Sequence, residues 1–470
     1  MAKKAAQKTP VIREAKAELG SLSVSQCKVI LAIGFAFTFG FIREWEFLNG
    51  AASLTRWEWT YQDLSVAGMG LGLLLPFLAI GTVLWIVETA KAVRYAWPWL
   101  GVLAFSNFLL QFLSVAADPR GMDRIRQIVQ SSNATGYFTD ALTIQNLLEW
   151  MGRFHLSAGA AHSSTHPPGP ILYYYCFSIL GPNAGAYWGG MIVGLLGSMG
   201  VILVYHFTAL WTQDPKVRLT AAAFYALLPS LTVFFPEFDQ AYPLMAMGLL
   251  MAWVKAVQDN AHSFRTAFWL GFLLFAALFF AYNLLVLGAF FAFFAVDRLW
   301  HGAGFAGLVK TSALALISCS VLYGLLWLLT GYNAPATFMR SLHNQTSHSA
   351  SLARPYAIFV IHDLYDFALG AGFLAVLIVG IRFRPLLQQW KAGETSALLS
   401  LCGIATILTV DFTGLLRGET ARVWLFLQPL IIIPAAIELA RVAWPWRFGI
   451  LAMQWWILVC LKAKMSFIEP

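Results

Sequence analysis

Apolar runs long enough to cross a bilayer recur along the whole chain. Residues 66–88 and 311–330 carry one charge between them, Glu88 at the end of the first. A spanning helix needs about 20 such residues. Within hydrocarbon every backbone N–H and C=O must bond inside the protein, so only helices and closed barrels can cross. Barrel strands read as short alternating segments, and these runs do not alternate. The fold class expected is therefore an all-α polytopic membrane protein. Charge content agrees: 11% of the 470 residues are charged, against about 25% in soluble domains.

The runs predict about 13 transmembrane helices, over 27–42, 66–88, 96–117, 184–211, 219–235, 241–257, 266–280, 284–298, 311–330, 367–382, 395–411, 422–440 and 446–461. The run 171–180 is too short to cross and is expected to lie flat, an outer-face juxtamembrane helix with Tyr173–Tyr175 at headgroup level. With that helix flat, the loops at Lys216/Arg218, Lys255/Arg265, Arg298/Lys310, Arg382/Arg384/Lys391 and Arg441/Arg447 share a side with the basic N-terminus. The inner side then holds 19 Lys+Arg and 8 Asp+Glu, the outer side 12 and 15. That is the asymmetry the positive-inside rule demands. Lys462 and Lys464 fall outside, against the trend. The chain divides into a cytoplasmic basic tail (1–26), two N-terminal helices (27–95), a core (96–440) with outer loops 118–183 and 331–366, and a last helix with its tail (441–470).

Topology accounts for the net charge of +8, so no nucleic-acid partner is expected. Cys27, Cys176, Cys319, Cys402 and Cys460 stand singly and read as small apolar residues. The expected location is a bacterial inner (cytoplasmic) membrane, multi-pass, with the N-terminus cytoplasmic.

Chemistry concentrates in the outer loops. The stretch His162–Pro170, H-S-S-T-H-P-P-G-P, must break any helix, because Pro167 and Pro168 exclude the α conformation from the residues before them. It offers His162 and His166 to a substrate. No H-E-x-x-H motif or cysteine partner makes them a zinc site. Asp118 and Asp140 could act as general base or hold a divalent cation; the alternative for Asp140 is a cap on a helix at 141–151. Glu237 and Asp239 occupy a short outer turn, facing water or contacting substrate or a metal. The polar loop 331–366, with His343 among its donors, is long enough to be a lid. Arg417, Glu419 and Arg422 open the run 417–424, where arginines suit a phosphate or pair with the nearby acids.

These features in this order resemble the GT-C superfamily of membrane glycosyltransferases, which includes protein O-mannosyltransferases and aminoarabinose transferases. His166-Pro167-Pro168 matches the element that follows the acidic loop, and Asp118 matches the acid at a span end. Gly136–Ala141, Thr165–Pro170 and Arg417–Trp424 look like mannosyltransferase-like bacterial members. The likeness covers roughly 96–440. The family's paired acids are absent, with Pro119 after Asp118, which shifts weight to Asp140. Spans 27–42 and 66–88 are extra. The resemblance implies a polyprenyl-phosphate-linked sugar as donor and a lipid, glycan or protein as acceptor. Asp118 or Asp140 would take the acceptor proton, and arginines would hold the leaving lipid phosphate. A Mg or Mn ion is compatible with this and is not required. A transporter or lipid flippase, and a lipid-linked glycan polymerase or ligase, are the competing expectations.

Overall fold

The computed structural model describes residues 21–43, 60–90, 95–132, 134–157, 159–160, 162–258, 264–351 and 354–466. Most of the basic tail and most of the loop 43–65 lie outside the described residues. Among the described residues the fold is all-α apart from one two-residue antiparallel ladder, Thr60–Tyr61 with Met465–Ser466.

Among the described residues, six helices are long and apolar enough to cross a membrane, or seven if one bent pair counts as a single span. The expected count of about 13 is larger, because several of its runs form helices that are short or broken. The helices are α1 (Val24–Arg43), α2 (Val66–Thr89), α3 (Trp97–Ala116), α4 (Asp123–Gln130), α5 (Tyr137–Leu142), α6 (Leu147–Arg153) and α7 (Gly169–Ser178). They continue as α8 (Pro182–Thr208), α9 (Pro215–Ala226), α10 (Pro229–Val233), α11 (Tyr242–Gln258), α12 (Phe264–Phe280), α13 (Gly288–Trp300) and α14 (Phe305–Thr330). The remainder are α15 (Ala334–Ser351), α16 (Tyr356–Gly370), α17 (Leu374–Lys391), α18 (Thr395–Thr413), α19 (Thr420–Val423), α20 (Pro429–Ala440) and α21 (Trp444–Lys464). Proline opens many of them, as at Pro98, Pro182, Pro215 and Pro229, where its missing N–H is not needed. Gly331 and Gly414 end α14 and α18 in the left-handed conformation, which lacks a Cβ penalty only for glycine.

Three runs expected to be continuous are broken. The run 219–235 stops at Leu227, because Pro229 cannot donate to the preceding turn. The run 367–382 bends by 110° between α16 and α17. At that corner Gly372 and Phe373 both have positive φ, 86° and 65°. The run 422–440 is a short helix, a 3₁₀ turn and then α20. The backbone groups freed at these breaks find side-chain partners. Asn107 donates to Ala226 O at 2.7 Å. Gln454 donates to Ala371 O at 3.0 Å and to Leu227 O at 3.4 Å, joining two breaks with one amide. Ser230 donates to Ala421 O at 2.7 Å and accepts from Gln428 at 2.8 Å. Irregular backbone at membrane depth survives only with such internal partners. A glycine face on α8 lets the breaks approach: a Cβ at Gly194 would lie 2.4 Å from the Phe235 ring.

Other expectations also change. The loop 331–366 forms two helices, α15 and α16, not an irregular connector. The helix at 141–151 is replaced by α5 and α6, so Asp140 lies inside a helix and caps nothing. The run 171–180 forms a helix, α7, but Tyr174 is buried in the protein and Tyr173 donates to Gly189 O. The polypeptide, not lipid headgroups, takes these two tyrosines.

Candidate functional site

The His162–Pro170 stretch lies at one end of the bundle, the motif end. His162 and His166 flank a 3₁₀ turn over Ser163–Thr165, and Pro168 leads into α7. Their rings stack at 4.6 Å. The Tyr137 ring of α5 meets both edge-on, at 6.1 and 5.6 Å. His166 Nδ1 lies 3.1 Å from His162 O. Thr165 Oγ1 lies 3.0 Å from the same nitrogen. Burial, with Arg422 nearby, lowers the His166 pKa to about 4, so the ring is neutral at physiological pH.

Asp140, one turn along α5 from Tyr137, holds the start of this stretch. Its Oδ2 accepts from Ser163 Oγ and from Ala160 N. Helix α15 lies over the same segment: Asn344 donates to Ser164 O at 3.3 Å, and Arg340 donates to Phe154 O and Ser157. His343, on this helix, is exposed and is not brought into the cluster.

Arg422 forms the centre. Helix α16 aims it: Asp363 Oδ1 accepts from Gly418 N and Asp366 Oδ2 from Ala421 N, each at 2.8 Å. These acids, three apart on one face of α16, tie down the first turn of α19. The guanidinium lies 2.5 Å from Glu419 Oε2, 3.8 Å from Asp239 Oδ2 and 3.9 Å from Glu237 Oε2. Arg422, Asp239 and Glu237 are buried, so the turn at 236–240 does not face water. Burial pushes Glu237 up to about 8 despite the opposing pull of Arg422, which leaves it protonated at neutral pH. Asp239 is raised for the same reason. Burial alone would lower Arg422, but Glu419, Asp239 and Glu237 outweigh it and raise the guanidinium.

Arg417 points elsewhere. It donates to Gly414 O at 3.0 Å and to Arg354 O at 2.8 Å, so it fastens a loop.

Asp118 belongs to a second, basic cluster at the same end. Arg120 takes both of its oxygens, Nε to Oδ1 at 2.9 Å and Nη2 to Oδ2 at 3.2 Å. Burial would raise the Asp118 carboxyl, but Arg120, with Arg124 behind it, more than offsets this and holds it below the usual carboxylate range. Arg124 and Lys462 are 3% and 9% exposed and interact electrostatically with Asp118. Three cations thus share one carboxylate. Lys462, which ran against the charge asymmetry, ends α21 here. The two clusters adjoin: Ile125 and Pro236, the sequence neighbours of Arg124 and Glu237, both lie against Gly190.

Sequence reasoning singled out His162, His166, Asp239, Glu419 and Arg422, and these come together. It gave no role to Tyr137, Arg124 or Lys462, whose only signal was a cation on the wrong side. Among the described residues, no group of three or more His, Cys, Asp or Glu is arranged to hold a metal ion; the Arg422 guanidinium stands between the carboxylates. Comparison with protein-family models, with curated proteins and with solved structures finds no match to this chain.

Proposed function

We propose that this protein is a glycosyltransferase that moves a sugar from a polyprenyl-phosphate donor to an acceptor hydroxyl at the outer face of a bacterial cytoplasmic membrane. The observation that carries the reading is the pairing, at one end of the bundle, of a cationic trio, two of its members buried, with the buried acid cluster around Arg422. Arg120, Arg124 and Lys462 suit the lipid phosphate, because three cations share one carboxylate and the excess favours an anion. Asp239 suits the acceptor hydroxyl, and His166 lies within electrostatic reach of the same Arg422.

In this reading the acceptor oxygen attacks the anomeric carbon and the bond from that carbon to the phosphate oxygen breaks. The bonding pair leaves with the lipid phosphate, where the trio stabilises the developing charge. The acceptor proton passes to Asp239. Asp118, with both oxygens on Arg120, positions that arginine. Asp140 positions the His162–His166 turn. A carboxylate raised by burial is a better base than one held down by an arginine.

Purified protein given a polyprenyl-phosphate sugar and an acceptor should release lipid phosphate, and Asp239→Asn should abolish this while the protein stays folded. Full turnover by that variant would remove the assigned base, and no release from any such donor would remove the activity. A transporter is the second reading, favoured by the 110° bend between α16 and α17 and the broken helices that meet there, a feature of transporter cores. Solute movement into vesicles without a covalent product would select it.

A further inference from the structure

At the end of the bundle away from the motif, α17, α18 and α20 line an open cleft. Its polar lining includes Arg382, Gln389, Ser396, Glu438 and Arg441, and Leu386, Pro434 and Ile437 form an apolar wall. The acceptor in this lining is already used. Glu438 Oε2 lies 2.9 Å from Arg382 Nε, and its Oε1 lies 3.1 Å from Arg441 Nη1.

The donors are not used to the same extent. The Gln389 side chain faces the cleft in a residue only 7% exposed, and makes no hydrogen bond to any described residue. Helix α18 starts at Glu394 with no side-chain cap. Its first helical bond is Leu398 N to Glu394 O, so the N–H groups of Thr395, Ser396 and Ala397 have no acceptor within the helix. Arg441, with its side chain 44% exposed, has donors beyond the one on Glu438. Glu394, within electrostatic reach of Arg441, is the opposing charge.

A site rich in donors, with a helix N-terminus and an apolar wall, fits an acceptor-rich group carrying an alkyl chain. We propose that this cleft binds one phosphate-bearing headgroup, held by Arg441, Gln389 and the first turn of α18, with its acyl chains along Leu386, Pro434 and Ile437. The site is separate from the Arg422 cluster and does not rest on the proposed glycosyl transfer.

The test uses full-length protein delipidated in a neutral detergent, with the unfolding midpoint followed during titration. The probes are phosphatidylglycerol, a galactosyl diacylglycerol without phosphorus, and inorganic phosphate. Phosphatidylglycerol should give a saturable upward shift that the galactolipid does not. Gln389→Leu should weaken the phosphatidylglycerol response about tenfold. Glu394→Gln should tighten that response. Saturation by inorganic phosphate alone would support the phosphate site and assign it to a soluble source. An equal shift from the galactolipid would overturn the proposal, as would an unchanged response in Gln389→Leu. Should that variant fail to fold, the galactolipid comparison on the unaltered protein still decides.

Discussion

Arg422 Nη2 lies 2.5 Å from Glu419 Oε2, and Glu419 itself adopts a positive φ of 52°. A non-glycine residue in that region carries local strain, and here the strained residue supplies the closest counter-charge of a buried guanidinium. Asp239 and Glu237 close the ring. One arginine therefore holds together the turn at 236–240 and the start of α19, over 180 positions apart.

Removing that arginine leaves buried acids without a cation. Arg422→Met should destabilise the protein by about 3–5 kcal/mol, the usual cost of breaking one side of a buried ion pair. Adding Glu237→Gln and Asp239→Asn should recover part of the loss, because Asp239 then holds no orphaned charge and Glu237 cannot acquire one. Unfolding midpoints in detergent for the single and triple variants check both signs.

Stability should fall as pH rises from about 5 to 8. Glu237 ionises near 4.5 when unfolded and near 8 when folded, chiefly because burial disfavours its charge. Between those values the unfolded chain has lost the proton that the folded chain keeps. The stabilisation is thus complete below the lower value and lost on passing the upper one, with a slope of at most about 1.4 kcal/mol per pH unit. Glu237→Gln should flatten the profile; an unchanged slope would assign the effect to another group.

The two clusters should separate kinetically. Asp239→Asn is expected to cut kcat at least 100-fold with little change in donor KM. Lys462→Met should mainly raise donor KM, about tenfold, because it removes one of the three cations proposed to hold the donor phosphate. Asp118→Asn should follow Lys462→Met, since its role is to orient Arg120. If Asp118→Asn instead abolishes kcat, the base is Asp118.

The corner between α16 and α17 tolerates no side chain at Gly372. That residue has a φ of 86°, and a Cβ there would lie 1.9 Å from Gln454 Nε2. Gly372→Ala should cost about 2–4 kcal/mol through backbone strain and crowding. It also displaces the amide that bonds Ala371 and Leu227. Gly380→Ala, on the same α17 with open space around it, is the control and should be neutral or slightly stabilising.

Local features of the chain survived into the structure. Hydropathy set the all-α class and most helix positions, because burying a run of apolar side chains needs no knowledge of its neighbours. Pro167 and Pro168 broke the chain where expected, since proline acts on its own turn. The breaks at Leu227 and Gly370–Leu374 were less legible. Both runs stay apolar through the break, and only Asn107 and Gln454, on distant helices, make the freed carbonyls tolerable.

Residue types alone therefore determined a membrane-embedded helical chain with polar chemistry gathered at His162–Pro170 and in the loops near it. Tertiary structure decided which charges meet. Arg417 and Arg422 are five residues apart and equally basic, yet one binds backbone carbonyls and the other three carboxylates. Lys462 and Asp118 are separated by more than 340 positions, and α21 must pack against α2, and α2 against α3, before they share a cluster. Electrostatic partners depend on distance and burial, and both arise only when the helices pack.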